Sequence, residues 1–256
     1  MARDDITPAF RHLNANKIHQ KTTPSDLVTD IDRLVEKKLT QAIVRILPSA
    51  MIIGEETAKP DDLLAIAHHD LCIVIDPIDG TWNFAMGLPL FGVMLAIIER
   101  GETVFALLYD PLMDDWLIAH KGEGTYYHQK DEPPQKIQTG PQKDNTLYGL
   151  VGVCQQSPNL KISPLPVERL MAMGCSYYEY RLLTQGAVDF YLSGPTLNPW
   201  DHAAGVLALK EAGGYAGLVD EKMPYNPTYQ KGRLLACRHR QLWDDLHPYI
   251  TESALQ

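Results

Sequence analysis

The sequence lacks the features of several common classes of protein. Its four cysteines lie far apart without a Cys-x-x-Cys pair, which is typical of reduced cysteines in a cytoplasmic protein. It has no block of five or six basic residues, and 32 acidic residues outnumber 23 Lys and Arg, so it lacks the charge pattern of a protein that binds nucleic acid or an anionic membrane. The longest apolar stretch, residues 84–98, is interrupted by Gly87, Pro89 and Gly92 and is too short to span a bilayer. We therefore expect a cytoplasmic protein with neither a nucleic-acid nor a membrane partner.

The most informative segment that is present is residues 76–84, Asp-Pro-Ile-Asp-Gly-Thr-Trp-Asn-Phe. It directly follows an apolar run at 71–75, which predicts a buried strand with two carboxylates at its end. Carboxylate and carbonyl oxygens are the ligands that Mg²⁺ and Mn²⁺ prefer. Gly80 lets the backbone approach an anion closely, and Thr81 supplies a hydroxyl and the predicted start of a short helix. The segment therefore predicts a metal site beside a phosphate site.

Three further acidic segments lie at the ends of predicted elements. They are residues 54–56 after an apolar run, 26–32 at the start of a helix predicted over 30–47, and 200–205 at the start of another helix. A turn, a helix N-cap or a solvated acid would explain any one of them. Four acidic segments at four element ends instead favour one site that binds metal ions, and a net charge of −9 fits an anionic substrate only if bound cations reverse the sign locally.

These four motifs resemble, in the same order, those of the inositol monophosphatase family, which are Mg²⁺-dependent and often lithium-sensitive phosphomonoesterases. The similarity extends from about Lys21 to Gly214 and covers most of the chain. The resemblance implies an α/β fold of the layered α+β kind, in which layers of helices and sheets alternate as in sugar and inositol phosphatases. It also implies a homodimer and a small phosphorylated substrate.

The resemblance implies a ligand set for two or three Mg²⁺ ions, with Mn²⁺ as an alternative. At matched positions, Glu55, Asp76 and the Ile78 carbonyl would hold the first ion. Asp76, Asp79 and Asp201 would hold the second, so that Asp76 is shared. Such a cluster is self-repelling when empty and is neutralised by divalent ions.

The resemblance also implies catalytic and substrate-binding residues. Thr81 would orient the attacking water, Asp32 would accept a hydrogen bond from its hydroxyl, and Glu55 would assist through the metal. Lys21 matches a family lysine near the metals, although a lone lysine is also a common solvated surface residue, and Glu56 is either near the metals or solvated. The residues implied for substrate binding are Asp79, Gly80, Thr81, Gly174, Cys175, Ser176 and Asp201.

The remaining pattern predicts alternating helices and strands in two halves. Strands are expected at 91–99, 103–109 and 116–120, joined by short turns and therefore antiparallel. A polar segment at 128–145 divides residues 1–140, an N-terminal α+β half with most metal ligands, from 141–256, a C-terminal α/β half that supplies Asp201. The second half is expected to contain strands near 147–153 and 188–192 and helices near 165–173, 177–185 and 201–212, the last capped by Gly213 and Gly214.

Three side chains carry expectations of their own. Cys72 lies in the apolar run and should be a reduced core residue. Trp82 should pack in the core, whereas His202 should face solvent on its helix.

The substrate signals conflict. Residues 81–84 resemble the inositol-phosphate branch of the family, but 191–200 lacks the acid which that branch carries before its Trp-Asp pair. Residues 194–196 resemble the nucleotide-phosphate branch, and 174–176, at the place of another substrate-contacting turn, also depart from the pattern. Inositol 1-phosphate is the expected substrate, and adenosine 3′,5′-bisphosphate, fructose 1,6-bisphosphate and histidinol phosphate are alternatives. An interpretation of another class is a metal-binding interaction module with vestigial catalysis.

Overall fold

The computed structural model describes residues 2–141, 146–152 and 167–252. The helices in these ranges are α1 (Ala2–Ala9), α2 (Asp30–Ile46), α3 (Pro60–Ala65), α4 (Thr81–Ala85), α5 (Ser176–Thr184), α6 (Pro199–Glu211) and α7 (Arg240–Glu252). The strands are β1 (Ile18–Gln20), β2 (Leu27–Thr29), β3 (Met51–Gly54), β4 (Leu71–Asp79), β5 (Gly92–Glu99), β6 (Glu102–Asp110), β7 (Asp115–His120), β8 (Gly124–Gln129), β9 (Gln135–Ile137), β10 (Leu147–Val151), β11 (Val167–Met171), β12 (Phe190–Ser193), β13 (Tyr215–Leu218), β14 (Met223–Pro224) and β15 (Leu234–Cys237).

Two large sheets and a small hairpin organise these strands. One sheet has the order β3-β4-β5-β6-β7-β8-β9, the other has the order β11-β10-β12-β15-β13-β14, and β1 pairs with β2. In the first sheet β3 and β4 are parallel, while β4 to β9 form successive antiparallel pairs. The predicted antiparallel strands are therefore confirmed.

Helices and sheets alternate in layers. Helices α1 and α2 pack together on the side of β3 and β4, and α6 packs against β4 to β8 of the first sheet and β13 of the second. Helix α5 packs on α6, and α7 packs against β13 and β15. Separate apolar clusters fill the spaces between layers, which confirms the predicted α/β fold of alternating helices and sheets.

Strand β12 of the second sheet is buried on both faces. In β12, Tyr191 points to the core shared with α5 and α6, whereas Phe190 and Leu192 point to the core under α7. Successive side chains of a strand point to opposite faces, so a sheet covered on both sides reads as a continuous apolar run.

Most predicted elements are present, and one is wrong. Residues 167–171 form β11, a strand parallel to β10, where the sequence predicted a helix over 165–173. Its exposed middle residues mark an edge strand, and apolar spacing within the segment could not reveal the strand that pairs with it. Strands β8 and β9, which were not predicted, extend the first sheet into the polar segment. Residues 142–145, 153 and 165–166 of the predicted elements lie outside the described residues.

Several local predictions are confirmed. Helix α6 ends in a Schellman motif, because Gly213 N–H donates to Lys210 O at 3.0 Å and Gly214 N–H to Leu209 O at 2.9 Å. Cys72 is a buried free thiol, as are Cys175 and Cys237, while position 154 lies outside the described residues. Among the helices of the described ranges, none combines the length and the apolar character needed to cross a bilayer.

Candidate active site

The acidic cluster begins where two parallel strands end together. Gly54 of β3 pairs with Ile75 of β4, and Glu55 N–H donates to the Ile75 carbonyl at 3.0 Å. The next residue on each strand is an acid, so the side chains of Glu55 and Asp76 come within hydrogen-bonding reach of each other. Parallel pairing therefore explains why Glu55 and Asp76, 21 positions apart in the sequence, meet.

An irregularity in β4 adds the second carboxylate of the central motif. Asp76 pairs with Met94 and Asp79 with Gly92, so three residue steps on β4 oppose two on β5. In a regular strand, residues three apart point to opposite faces, but one extra residue reverses this alternation. The bulge thus lets Asp76 and Asp79 face the same site.

The third carboxylate of the cluster comes from α6. Asp201 is the third residue of this helix, and Asn198, not Asp201, is the N-cap. The Asn198 side-chain amide donates to Asp201 Oδ2 at 3.1 Å and fixes its orientation. Carboxylate oxygens of Asp76, Asp79 and Asp201 all lie within 4.8 Å of one another.

The Thr81 hydroxyl lies at the start of α4, beside the cluster. Gly80 before it adopts a left-handed conformation with φ +86°, and a Cβ there would lie 2.7 Å from the Leu90 carbonyl oxygen, so only glycine fits. The Thr81 hydroxyl lies 3.0 Å from both Asp32 Oδ1 and the Ile78 carbonyl oxygen, and its single proton serves one of them at a time.

Asp32 is buried and held from its own helix. Thr29, the N-cap of α2, donates its N–H to Asp32 Oδ2 at 2.9 Å and its hydroxyl to the same oxygen. The Asp32 N–H is in turn directed at the Thr29 hydroxyl, which completes a capping box. The oxygen of Asp32 that faces Thr81 is thereby fixed in place.

Burial and mutual repulsion disturb the titration of the cluster. Burial raises the pKa of Asp32 to about 6 and that of Asp79 to about 7. Burial, followed by the charges of Glu55, Asp79 and Asp201, raises the pKa of Asp76 well above its ordinary value. These shifts show that the metal-free folded protein resists full ionisation of the cluster.

Lys21 supplies the positive charge beside Glu55 and Glu56. Its Nζ donates to Glu55 Oε1 at 2.9 Å and to Glu56 Oε1 at 2.7 Å. Although burial acts to lower the pKa of Lys21, the two carboxylates outweigh it and raise that pKa. Burial and then the charge of Glu55 raise the pKa of Glu56 to about 7. Both residues therefore lie beside the acidic cluster, whereas the sequence left open that either is a solvated surface residue.

Glu36 of α2, which the sequence analysis missed, positions the loop that carries Glu55. The Glu36 carboxylate accepts the Glu56 N–H at 2.8 Å and the Thr57 hydroxyl at 2.6 Å. It lies so close to Gly54 that a Cβ there would be 2.2 Å from Glu36 Cδ. The Gly-Glu-Glu motif predicts the acidic loop. Nothing in the sequence of α2 indicates that Glu36 is the buried partner of that loop.

The start of α5 holds Asp79 from the other half of the chain. Tyr177 N–H donates to Asp79 Oδ2, and the Cys175 thiol lies 3.3 Å from the same oxygen. The Asn83 side-chain amide donates to the carbonyls of Leu90 at 2.8 Å and Met173 at 2.9 Å. The central motif and the turn before α5 are therefore fastened directly to each other.

A cavity of about 330 Å³ opens beside the cluster. Five of the residues implied for substrate binding line it, namely Asp79, Gly174, Cys175, Ser176 and Asp201. Gly80 and Thr81 lie next to Asp79 in the chain but are not part of its lining. The lining also includes Glu179, Tyr191, Ser193 and His202, none of which was predicted to bind substrate.

Two side chains are placed opposite to expectation. Trp82 is 45% exposed, because the five-residue helix α4 turns that side chain outward. His202 is 2% exposed, and its Nδ1 lies 2.9 Å from the Tyr180 hydroxyl. Burial lowers the pKa of His202 to about 4, so its imidazole is neutral. Helix α6 lies between two sheets and has no solvent side near its start, which explains the second error.

The donor set fits Mg²⁺. The carboxylates that meet here, those of Glu55, Asp76, Asp79 and Asp201, offer only oxygen atoms as ligands. Hard divalent cations prefer such ligands. Their negative charges lie close together with Lys21 as a partial counterion only, so a bound cation would relieve their repulsion.

Comparison with known proteins decides the family. A model of the inositol monophosphatase family matches residues 2–255. The chain belongs to the inositol monophosphatase family. Members of this family are phosphoric monoester hydrolases, and the predicted family and enzyme class are therefore confirmed.

Relatives within the inositol monophosphatase family come from distant organisms. The inositol-1-monophosphatase of Bacillus subtilis is 32% identical over 202 residues, which cover 77% of this chain and 74% of that protein. The fructose-1,6-bisphosphatase/inositol-1-monophosphatase of Thermotoga maritima is 29% identical over 204 residues, 78% of this chain and 74% of that protein. The Nus factor SuhB of Xylella fastidiosa is 30% identical over 226 residues, 84% and 78%.

Solved structures confirm the fold. An IMPase of Thermotoga maritima matches with a TM-score of 0.83 at 24% identity, over 99% of this chain and 93% of that chain. An inositol monophosphatase from Anabaena matches with a TM-score of 0.77 at 22% identity, over 98% and 91%.

Proposed function

We propose that the chain is a Mg²⁺-dependent phosphomonoester hydrolase that acts on inositol 1-phosphate. The observation that carries the proposal is the meeting of Asp76, Asp79 and Asp201 within 4.8 Å beside a cavity of about 330 Å³. Family membership supplies the reaction class, and the cavity next to the carboxylates supplies space for the alcohol part of a phosphate ester.

The metal ligands are divided between two positions. Glu55, Asp76 and the Ile78 carbonyl would hold one Mg²⁺, and Asp76, Asp79 and Asp201 would hold another. When bound, the ions supply charge stabilisation for the attacking and leaving oxygens of the phosphate and acidify a bound water. A third ion and replacement by Mn²⁺ are both compatible with an all-oxygen ligand set.

Thr81 and Asp32 would place the attacking water. When the Thr81 hydroxyl donates to Asp32 Oδ1, its oxygen lone pairs remain free to accept a hydrogen bond from water. Asp32 is itself fixed by the Thr29 backbone, so the hydroxyl points in one direction. Glu55 would complete the arrangement from the other side of the cluster, and such positioned groups contribute roughly 10²–10⁴-fold to rate.

Family membership supports the proposals for the substrate, the assembly and the location. Two relatives carry inositol-1-monophosphatase in their names, which favours inositol 1-phosphate, and one of these names includes fructose 1,6-bisphosphatase. Adenosine 3′,5′-bisphosphate and histidinol phosphate remain alternatives. We further propose a cytoplasmic, lithium-sensitive homodimer, with residues 1–140 and 141–256 as its two structural halves and the metal site at their junction.

The test is phosphate release from inositol 1-phosphate, fructose 1,6-bisphosphate, adenosine 3′,5′-bisphosphate and histidinol phosphate, each with Mg²⁺ and with EDTA. We expect release that requires Mg²⁺ and is fastest from inositol 1-phosphate. Preference for another ester would replace the substrate and keep the reaction. Absence of Mg²⁺-dependent release from all four would contradict the proposal.

A further inference from the structure

The cavity contains a carboxylate that the metal cluster does not use. Glu179 lies on α5 and lines the cavity, yet its carboxyl is not among the three whose oxygens converge on the metal position. It is 2% exposed, and its Oε1 accepts the Met173 N–H at 3.3 Å. The Gly174 N–H and the Tyr191 hydroxyl also donate to it. A buried acid with this support is fixed in position in the cavity wall.

The charge of the cavity restricts the leaving group. Its described lining contains the acids Asp79, Asp201 and Glu179 and includes neither lysine nor arginine. Two of these acids belong to the metal cluster. Glu179 has no metal beside it, and because burial raises its pKa to about 8, its carboxyl is ionised chiefly above that pH. A second phosphate on the alcohol would meet this carboxylate with no cationic side chain among the described lining residues, and like charges brought together in a buried site are costly.

The other lining groups suit hydroxyls. Tyr191, Ser176, Ser193 and Thr196 carry hydroxyls, and Asn198 carries an amide. A carboxylate accepts hydrogen bonds only, and an alcohol hydroxyl both donates to it and accepts from neighbouring hydroxyls. The volume of about 330 Å³ is near the lower end of ligand cavities, roughly 300–1,000 Å³, and fits a small alcohol.

We propose that Glu179 is a specificity-determining residue, whose carboxylate accepts hydrogen bonds from hydroxyl groups of a neutral polyol monophosphate and disfavours a second phosphate. The inference rests on the proposed function, because it assigns the alcohol end of the same site. It selects polyol monophosphates over the bisphosphates that remain open there. A site built to pair a substrate hydroxyl discriminates strongly against analogues that lack it.

The first test compares Glu179→Gln with the unaltered protein in saturating Mg²⁺. Both this test and the second are run at about pH 9, above the pKa of Glu179, so that its carboxyl is ionised. The two substrates are inositol 1-phosphate and p-nitrophenyl phosphate, whose leaving group carries no hydroxyl besides the one released. Glutamine keeps one acceptor oxygen for the backbone but loses the charge and the second acceptor. We expect the ratio of kcat/KM for inositol 1-phosphate to that for p-nitrophenyl phosphate to fall at least about tenfold.

The control is Tyr178→Phe. Tyr178 lies on the same helix as Glu179 but outside the cavity lining, and the substitution removes a hydroxyl that donates to Asp110 at 2.7 Å. It should leave the substrate ratio as it was. If Glu179 merely supports the turn before α5, Glu179→Gln would lower kcat/KM for both substrates in parallel, and an unchanged ratio overturns the inference.

A second measurement needs no variant and so does not depend on folding of Glu179→Gln. The unaltered protein is given inositol 1-phosphate and inositol 1,4-bisphosphate, and we expect kcat/KM for the bisphosphate to be at least about tenfold lower. Equal or faster hydrolysis of the bisphosphate overturns the inference while leaving the proposed reaction intact. Absence of Mg²⁺-dependent release from p-nitrophenyl phosphate and both inositol esters would overturn the proposed function and this inference with it.

Discussion

The metal cluster, which we call the metal end, and the rest of the cavity lining, which we call the alcohol end, are built in different ways. At the metal end, Asp76 and Asp79 come from one continuous segment, and the bulge between them brings their carboxylates together. At the alcohol end, Glu179 and Tyr191 come from a helix and a strand whose sequences show no motif. The groups at the metal end are thus brought together largely by a short local pattern, whereas those at the alcohol end are brought together by packing between distant elements.

Removing one carboxylate charge at the metal end should have the largest effect on activity. Asp79→Asn should lower kcat/KM for every phosphate ester by about 10³-fold or more, because preorganised charge at the reacting centre is lost. The loss should be equal for inositol 1-phosphate and p-nitrophenyl phosphate, in contrast to Glu179→Gln. In EDTA the variant should melt at or above the temperature of the unaltered protein, since one repelling buried carboxylate is gone.

Asp110→Asn is the matched control for that experiment. Asp110 is also a buried acid, 1% exposed, but it accepts the N–H groups of Leu112 and Met113 and the hydroxyl of Tyr178, none of which belongs to the cluster. Its substitution should change kcat/KM by no more than about threefold, within the range of ~1 kcal/mol expected for one local hydrogen bond. Activity of Asp79→Asn close to that of Asp110→Asn would remove Asp79 from the ligand set.

The metal end could be predicted from the sequence because its residues are neighbours in the chain or lie at the ends of recognisable elements. The apolar run before Asp76 predicts the strand, and the acids that follow can only emerge at its carboxyl end. Asp201 needed the family resemblance, because an acid in the first turn of a helix is ordinarily explained by the helix dipole. The Asn198 cap that orients it is visible only in three dimensions.

The alcohol end could not be predicted for a physical reason. An acid within Tyr-Tyr-Glu-Tyr-Arg on a helix is ordinarily solvated, and Glu179 is buried only because α5 lies between other layers of the fold. The same layering buries His202, which the sequence placed in solvent. Burial of a single polar side chain depends on which element covers it, and local periodicity carries no information about that cover.

Helix α5 joins the two ends, and loosening it should affect both. Arg181 forms a two-pronged buried ion pair with Asp115 of β7, at 2.5 and 2.8 Å. Arg181→Met would leave that carboxylate buried and unpaired, so the free energy of unfolding should fall by about 3–5 kcal/mol. Urea denaturation measures this. Arg100→Met, which breaks an exposed pair with Asp70, should cost at most about 1 kcal/mol, and an equal loss in both variants would refute the assignment.

Glu36 offers a way to disturb the metal end alone. In Glu36→Gln an NH₂ group, which only donates, replaces one carboxylate oxygen, so the side chain can accept either the Thr57 hydroxyl or the Glu56 N–H but not both. Groups that orient metal ligands typically contribute about 10–100-fold to metal affinity or activity. We expect a loss of that size in Mg²⁺ affinity, measured from the Mg²⁺ dependence of the rate, with the substrate ratio preserved.

Asp30→Asn is the control for Glu36→Gln, since Asp30 lies on the same helix, is exposed and contacts His19 at 2.9 Å. Its Mg²⁺ dependence should match that of the unaltered protein. A changed substrate ratio in Glu36→Gln would show that the residues that orient the metal ligands also affect substrate selection, which would contradict the division into two ends.

The smallest effect, and the one that separates the two ends by their titration, is the pH dependence of stability. Burial raises the pKa of Asp79 to about 7 and that of Glu179 to about 8, so between the unfolded value near ~4 and these pKa values the folded protein binds more protons than the unfolded chain. Stability is then greatest at low pH and is lost as pH rises through that window. In EDTA, both Asp79→Asn and Glu179→Gln should therefore gain stability relative to the unaltered protein from pH 5 to 8, on the order of 1 kcal/mol or more. Saturating Mg²⁺ should abolish the gain of Asp79→Asn, because the bound ion favours the ionised ligand, but should leave that of Glu179→Gln, whose carboxylate has no ion beside it. Urea unfolding at pH 5 and pH 8, with and without Mg²⁺, measures the stability gain of each variant. If the gain of Glu179→Gln disappears with Mg²⁺, Glu179 belongs to the metal end.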